Sequence, residues 1–230
     1  MKVSVVIPVY NEEKYIERCL ESLQNQQEKA DEIIIVNNNS TDKTYDLAKK
    51  YPVTIIREPI QGITFARNRG FNTARGDIIA RSDADTIIPS DWIKKIKANF
   101  QKNKIDALGG TCIFYDFPLQ TTLLADTYLD FMKLVQKGKD TLSGFNFALT
   151  KKIWQKVKNS VCLDNTKVHE DIDLAIHIIQ AGGKIMIDKS LVVKISSRRI
   201  KNNPWSFFIE YPIRTIKTLA LHTSSPLRSM

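Results

Sequence analysis

Two short acidic clusters are where this chain has the residue types for chemistry. Asp83-Ala84-Asp85 follows a short apolar run, Asp77 to Arg81, and precedes Pro89-Ser90-Asp91, which opens a helical pattern. Its two carboxylates are spaced to meet one hard cation, directly or through water. Mg²⁺ or Mn²⁺ is often held this way, by one or two carboxylates and a substrate's phosphates. A plain turn is the alternative, because Asp and Ser favour turns. The second cluster is His169-Glu170-Asp171-Ile172-Asp173. Carboxylates at a helix start also interact favourably with the helix dipole, with no chemistry implied. Helical spacing puts Glu170 beside Asp173 and turns Asp171 elsewhere, since i and i+3 are neighbours and i and i+1 are not.

The elements that must position these groups alternate. Val3 to Val9 reads as a buried strand and Glu12 to Gln26 as an amphipathic helix with Ile16, Cys19, Leu20 and Leu23 on one face. Glu32 to Val36 is a second strand. Ser40 or Thr41 is placed to cap the next helix, which runs to about Lys50 with Asp42 in its first turn. Val53 to Arg57 and Asp77 to Arg81 are strands; Gly62 to Ala74 and Ser90 to Asn103 are helices. Such alternation signals a parallel sheet with crossover helices, and ligands bind at the carboxyl ends of its strands. Beyond Asp106 the pattern loosens. Leu108 to Tyr115 is extended, and 118–136 is weakly helical or a loop. Gly144 to Leu149 is a strand, and Thr150 caps a helix through Val157. Val168 to Ala181 is a helix stopped by Gly182-Gly183, and Lys184 to Ile187 and Leu191 to Ile195 are strands. Pro204 to His222 is aromatic and basic.

The chain has 230 residues, 43% hydrophobic and 26% charged, as expected of one globular domain, or one domain with an extension. No run reaches the roughly 18 apolar residues of a membrane span, and no signal-peptide pattern opens the chain. Cys19, Cys112 and Cys162 are odd in number and scattered, which disfavours a disulfide framework and points to a reducing, cytosolic compartment. Net charge is +9, with nine Lys/Arg against Asp188 and Glu210 from Lys184 onward. A basic tail suits an anionic partner, and the remaining choice is a solvated surface.

Five motifs then fall in order: Val5-Val6-Ile7-Pro8-Val9-Tyr10-Asn11-Glu12, Ile35-Val36-Asn37-Asn38-Asn39-Ser40-Thr41-Asp42, Ala66-Arg67-Asn68, Asp83-Ala84-Asp85 and His169-Glu170-Asp171-Ile172-Asp173-Leu174. Together they resemble an inverting family-2 glycosyltransferase with the A-type nucleotide-sugar fold. The resemblance covers roughly residues 3 to 190. It implies a single Rossmann-like α/β domain over 1–200, with a mostly parallel central sheet flanked by helices, and a basic amphipathic helical extension over 201–230.

The resemblance also implies roles. Asp85 is the direct ligand of Mg²⁺ or Mn²⁺, and Asp83 reaches the ribose and the metal. A cation there offsets the charge gathering on a leaving diphosphate. Asp171 is the base that takes the acceptor hydroxyl's proton, and Glu170 holds the acceptor. Pro8, Tyr10 and Glu12 line the nucleobase pocket together with Asn37 and Asn38. These two stand where the family usually has Asp, so uridine, guanosine and thymidine diphosphates all stay open. Arg67 lies near the diphosphate, and Arg198-Arg199 resembles a stretch that closes over it. His169 touches the metal or a phosphate, or is structural. Asp42 is a ligand or a helix-start residue.

No Gln-x-x-Arg-Trp motif is present, which implies one hexose-type sugar added per encounter rather than processive synthesis. Trp205, Phe207, Phe208, Tyr211, Ile213, Ile216 and Leu219 interleave with Arg214 and Lys217. Such a helix suits a membrane interface, hence a glycan or lipid-linked acceptor met at the inner face of the membrane. Packing on the domain or at a dimer interface is the other reading. Three further readings compete with the enzyme: a non-catalytic nucleotide-sugar-binding module, a nucleic-acid binder suggested by charge alone, and a sugar-nucleotide pyrophosphorylase. The last lacks its Gly-rich N-terminal loop.

Overall fold

The computed structural model describes residues 1–117, 120–164, 166–205 and 209–223. Seven strands form one sheet in the order β3-β2-β1-β4-β6-β5-β7. They are β1 Val3–Val9, β2 Glu32–Asn37, β3 Thr54–Arg57, β4 Ile78–Arg81, β5 Ala107–Phe114, β6 Phe147–Thr150 and β7 Ile185–Ile195. β3, β2, β1 and β4 are mutually parallel. β6 runs antiparallel between β4 and β5, and β7 is parallel to β5.

The named helices are α1 Ile16–Gln24, α2 Thr44–Ala48, α3 Ile63–Thr73, α4 Trp92–Lys102, α5 Leu123–Val135, α6 Lys151–Val157, α7 Glu170–Gln180, α8 Arg198–Asn202 and α9 Tyr211–Thr223. The period of two along a strand splits its side chains between two cores. Val3, Val5, Ile7 and Val9 of β1 join one core with Cys19 and Leu20 of α1 and Trp92 and Ile96 of α4. Val6 joins the other with Ala66 and Phe71 of α3, Trp154 of α6 and Leu174 of α7. α3 lies so close to β1 that a Cβ on Gly70 would sit 2.3 Å from Val6 Cγ1.

This is the single α/β domain with a mostly parallel sheet and a C-terminal helix that the sequence predicts. Three local expectations are corrected and one open choice is decided. Neither Ser40 nor Thr41 caps α2, which begins only at Thr44. Asp42 organises that turn instead: its Oδ1 accepts from Thr44 N at 3.0 Å and its Oδ2 from Glu13 N at 3.1 Å. For 118–136, read as weakly helical or a loop, the described part contains helix α5. The two C-terminal strands are one long strand, β7, whose pairing with β5 shifts register between Gly109 and Thr111. Finally, Glu170 lies beside Asp171 rather than Asp173, as the site shows below. Residues 118 and 119, Phe207, Phe208 and Arg228 lie outside the described residues.

α9 is docked on one side and open on the other. Thr218 is fully buried, and its Oγ1 accepts from His169 N at 2.7 Å. Ile213, Ile216 and Leu221 are exposed. Next to it α5 exposes Leu123, Leu124, Phe131 and Leu134, the last at 78%. Tyr128 of α5 hydrogen-bonds the side chain of Thr215 in α9. Among the described residues no helix is long and apolar enough to cross a membrane.

Candidate active site

The parallel strands deliver their carboxyl ends to one edge of the sheet. β1 ends before Tyr10-Asn11-Glu12, β2 at Asn37-Asn38, and β4 before Ser82-Asp83-Ala84-Asp85. Asn11 and Asn39 adopt φ of 55° and 65° in the turns beyond β1 and β2, a region Asn tolerates better than most residues. The acidic pair lies on a turn in which Thr86 N donates to Asp83 O at 3.2 Å.

The floor of the site is an ionic network around Arg81, the last residue of β4. Its Nη1 donates to Glu170 Oε1 and, at 2.9 Å, to Asp171 Oδ1. Its Nη2 reaches Asp83 Oδ1 at 3.3 Å. Arg67 approaches from α3, fully buried, and donates to Glu170 Oε2 and to the Glu170 carbonyl. Asn68 Oδ1 accepts two further bonds from Arg67, so this guanidinium is committed beneath Glu170. Gly144 N donates to Asp171 Oδ2 at 2.7 Å. A Cβ on Gly144 would fall 2.8 Å from that oxygen and 2.9 Å from Arg81 Nη2, so only glycine lets the loop approach this closely.

Glu170 and Asp171 therefore share Arg81, while Asp173 points away to His177 and His222. Side chains in a first helical turn lean back towards the N-terminus, and a planar guanidinium fork spans two neighbouring carboxylates. Their protonation diverges as a result. Burial raises the Glu170 pKa, but the charges of Arg81 and Arg67 outweigh it and hold Glu170 well below the usual carboxylate range. For Asp171, burial and then the Glu170 charge push the pKa well above the ordinary value, against the pull of Arg81.

Above this floor lies an acidic mouth. Arg198 opens α8, and its Nε donates to Asp85 Oδ2 at 2.9 Å and its Nη2 to Glu12 Oε1 at 2.6 Å. Its guanidinium also covers the Tyr15 ring, 4.3 Å from the centroid. Asp116 sets the turn into α8, accepting from Ser197 N at 2.6 Å and Ser196 Oγ at 3.0 Å. Burial and then the Asp83 charge raise the Asp85 pKa, and burial also raises Glu12 despite Arg198. Glu12 Oε2 is buried with no hydrogen-bond partner. Arg199 points elsewhere, its guanidinium over the Tyr211 ring.

The side chains at the end of β2 are occupied by the backbone around them. Asn38 Nδ2 donates to Glu58 O at 2.9 Å and Ile60 O at 2.7 Å, and Asn38 Oδ1 accepts from Gly62 N at 2.8 Å. Asn37 Oδ1 accepts from Ser40 N at 3.0 Å. Asn38 thus ties the loop between β3 and α3 to the end of β2, using both donor and acceptor. An Asp has no hydrogens to give those two carbonyls. Pro8 is buried within β1 opposite Val36, and Tyr10 is exposed. His169 packs against Tyr211, with burial lowering its pKa to about 4, so it is neutral at neutral pH.

The family model "Glycosyl transferase family 2" matches residues 4–160. The chain belongs to this family. Among curated relatives, the uncharacterized glycosyltransferase EpsJ of Bacillus subtilis is 33% identical over 118 residues, 49% of this chain and 34% of EpsJ. The dolichol-phosphate mannosyltransferase of Pyrococcus furiosus is 31% identical over 172 residues, 69% of this chain and 49% of that protein. The chain thus spans half or less of these two relatives. An uncharacterized glycosyltransferase of Haemophilus influenzae is 27% identical over 91% of this chain and 87% of its own length. Among solved structures, the mannosyltransferase PcManGT from Pyrobaculum calidifontis, in complex with GDP-Man and Mn²⁺, has a TM-score of 0.78 at 20% identity. It is matched over 98% of this chain and 65% of its own. Glucosyl-3-phosphoglycerate synthase from Mycobacterium tuberculosis, with Mn²⁺, UDP and glucosyl-3-phosphoglycerate, has a TM-score of 0.70 at 17% identity, over 99% of this chain and 81% of that one. At such identities the likeness carries the A-type fold.

In this family-2 chain the structure gathers Glu12, Arg67, Asp83, Asp85, Glu170, Asp171 and Arg198 around one edge of the sheet. Arg81 and Gly144 are the residues that sequence reasoning missed. Arg81 had a signal: it is the one charged residue in Ile78-Ile79-Ala80-Arg81, and all four are buried. Gly144 had none, because its constraint is set by Asp171, 27 residues away.

Proposed function

We propose that the chain is a non-processive, inverting glycosyltransferase. It moves one sugar from a nucleoside-diphosphate-sugar to an acceptor hydroxyl. The observation that carries this reading is the divergence of Glu170 and Asp171. One carboxylate stays ionised between two arginines, and its charge helps raise the pKa of the other towards the range of a useful base. Asp171 takes the proton of the acceptor hydroxyl as its oxygen bonds the anomeric carbon. The bond from that carbon to the diphosphate oxygen breaks on the opposite face, and the diphosphate leaves. Glu170, fixed by Arg67 and Arg81, keeps the helix start and its acceptor side in register.

Asp83 and Asp85 would hold Mg²⁺ or Mn²⁺, which when bound offsets charge on the leaving diphosphate. The partnerless Glu12 Oε2 and the raised pKa values of Glu12 and Asp85 support this assignment, because crowded buried carboxylates call for positive charge. Arg198 supplies such charge in the present arrangement and is placed to meet donor phosphates on release. Pro8, Tyr10, Glu12, Asn37 and Asn38 would border the nucleobase, with Asn37 and Asn38 acting through the loop that they hold. Arg67 supports the site from beneath Glu170. Arg199, beside Arg198 on α8, covers the Tyr211 ring and adds only the field of its charge at Asp85, so the diphosphate role falls to Arg198. The acceptor is read as a glycan or lipid-linked hydroxyl approached at a membrane's inner face; the exposed apolar residues of α5 and α9 beside Arg214 and Lys217 support this.

The deciding experiment is thermal melting against a panel of nucleotide-sugars and nucleoside diphosphates, with Mn²⁺ or with chelator. A ligand that binds the native state alone raises Tm. The expected result is Mn²⁺-dependent stabilisation by one nucleobase class, abolished by Asp85→Asn. No shift with any donor in the presence of Mn²⁺ would refute the donor site.

A further inference from the structure

A second polar cluster lies outside the catalytic network and has no part in the proposed transfer. Asp173 and His177 stand one turn apart on the same face of α7. His222 reaches them from the last turn of α9. Asp173 is 1% exposed. Its Oδ2 accepts from Cys162 N at 2.9 Å, which orients the carboxylate. Its Oδ1 meets His222 Nε2 at 2.9 Å and His177 Nε2 at 3.6 Å. The two imidazoles stand edge to face, with centroids 4.8 Å apart. All three ligand atoms lie within 4.8 Å of one another.

We propose that Asp173, His177 and His222 form a second metal site, for a borderline transition ion of the zinc type, separate from the Asp83/Asp85 site. Two nitrogens and one carboxylate oxygen are a ligand set that Zn²⁺ takes, with water in the fourth position. Ligands about 2.1 Å from a tetrahedral zinc lie about 3.4 Å apart, close to the 2.9 and 3.6 Å from Asp173 Oδ1 to the two imidazole nitrogens. Mg²⁺ and Ca²⁺ prefer oxygen ligands, so the two sites sort ions by ligand chemistry. Both imidazoles turn the same nitrogen on one carboxylate oxygen, and both keep some solvent access through which an ion can enter. A bound ion joins α9 to α7, and the first turn of α7 carries Glu170 and Asp171.

The test is Zn²⁺ titration of the tag-free full chain by calorimetry, with Mg²⁺ in excess to occupy oxygen sites. One Zn²⁺ per chain is expected. His177→Gln and His222→Gln are each expected to weaken it at least about 100-fold, since even groups that only orient a metal ligand are worth 10–100-fold. Asp85→Asn is expected to leave it unchanged, which separates this site from the donor site. Co²⁺ bound to the wild-type chain should give the visible absorption of a four-coordinate ion, a readout that needs no variant to fold. No Zn²⁺ uptake, uptake indifferent to both histidines, uptake lost in Asp85→Asn, or absence of the Co²⁺ band would each overturn the proposal. The cluster would then be a hydrogen-bonded Asp–His contact tying two helices.

Discussion

At the scale of single residues, Asp171 and Asn38 carry the sharpest expectations. Asp171→Asn should lower kcat about 10²–10⁴-fold, the usual worth of a positioned base, while donor binding measured by Tm shift persists. A module that only binds donors would show no transfer to lose. The pKa of Asp171 is raised, so turnover should rise with pH as its proton leaves, with a midpoint above the ordinary Asp value of 3.8. Glu170→Gln removes a charge that raises it and frees Arg81 for Asp171, so the midpoint of the kcat profile should move down. Asn38→Asp sets a carboxylate against the carbonyls of Glu58 and Ile60. It should cost about 1–3 kcal/mol, the usual penalty for unmatched buried polar groups, read as a lower urea midpoint. The Asn-for-Asp difference was visible in the sequence. Its reason was not, because those carbonyls come from a loop 20 and 22 residues away.

At the scale of elements, α7 and α8 shape the candidate site. The start of α7 was legible from its acidic cluster, yet helical spacing alone paired the wrong carboxylates. The pairing depends on what faces the helix, and that is Arg81 from the end of a strand 89 residues earlier. α8 is only five residues long and is set by Asp116, Ser196 and Ser197 rather than by its own periodicity. Its first residue gives a prediction. Arg198→Ala should lower Tm in chelator, by about 1–2 kcal/mol of stability within the usual range for a single substitution, because Asp85 and Glu12 lose their cation. Mn²⁺ should then raise Tm more than it does in the wild type. An equal Mn²⁺ response in both chains would separate Arg198 from the metal site.

At the scale of the whole molecule, the uneven charge and the apolar surface belong together. α5 and α9 adjoin through Tyr128 and Thr215 and present Leu124, Phe131, Leu134, Ile213 and Ile216 outward, with Lys133, Arg214 and Lys217 among them. Anionic vesicles should sediment the full chain. A chain ending at Lys201 should sediment less, by the roughly 1 kcal/mol per basic residue that such surfaces contribute. Equal sedimentation would assign the exposed face of α9 to protein contact instead. The sequence pointed to this helix but left α5 undecided between helix and loop, because that segment's outward residues are apolar too and blur its periodicity.

What the sequence alone determined were the strand–helix alternation, the mostly parallel sheet, the edge of that sheet where the acidic motifs meet, and the family. These follow from local periodicity and from motifs held within a few residues, and neither depends on distant partners. Tertiary structure decided what each charged group faces. Arg67 lies beneath Glu170 and not at the open cleft, Arg81 links both acidic clusters, Arg198 bridges Glu12 and Asp85, and the amides of Asn37 and Asn38 belong to the loops. Protonation followed from those placements: Arg81 and Arg67 hold Glu170 ionised, while burial and then the Glu170 charge push Asp171 up. A carboxylate's pKa is set by its burial and by the charges around it, and both come from residues brought together by the fold across most of the chain.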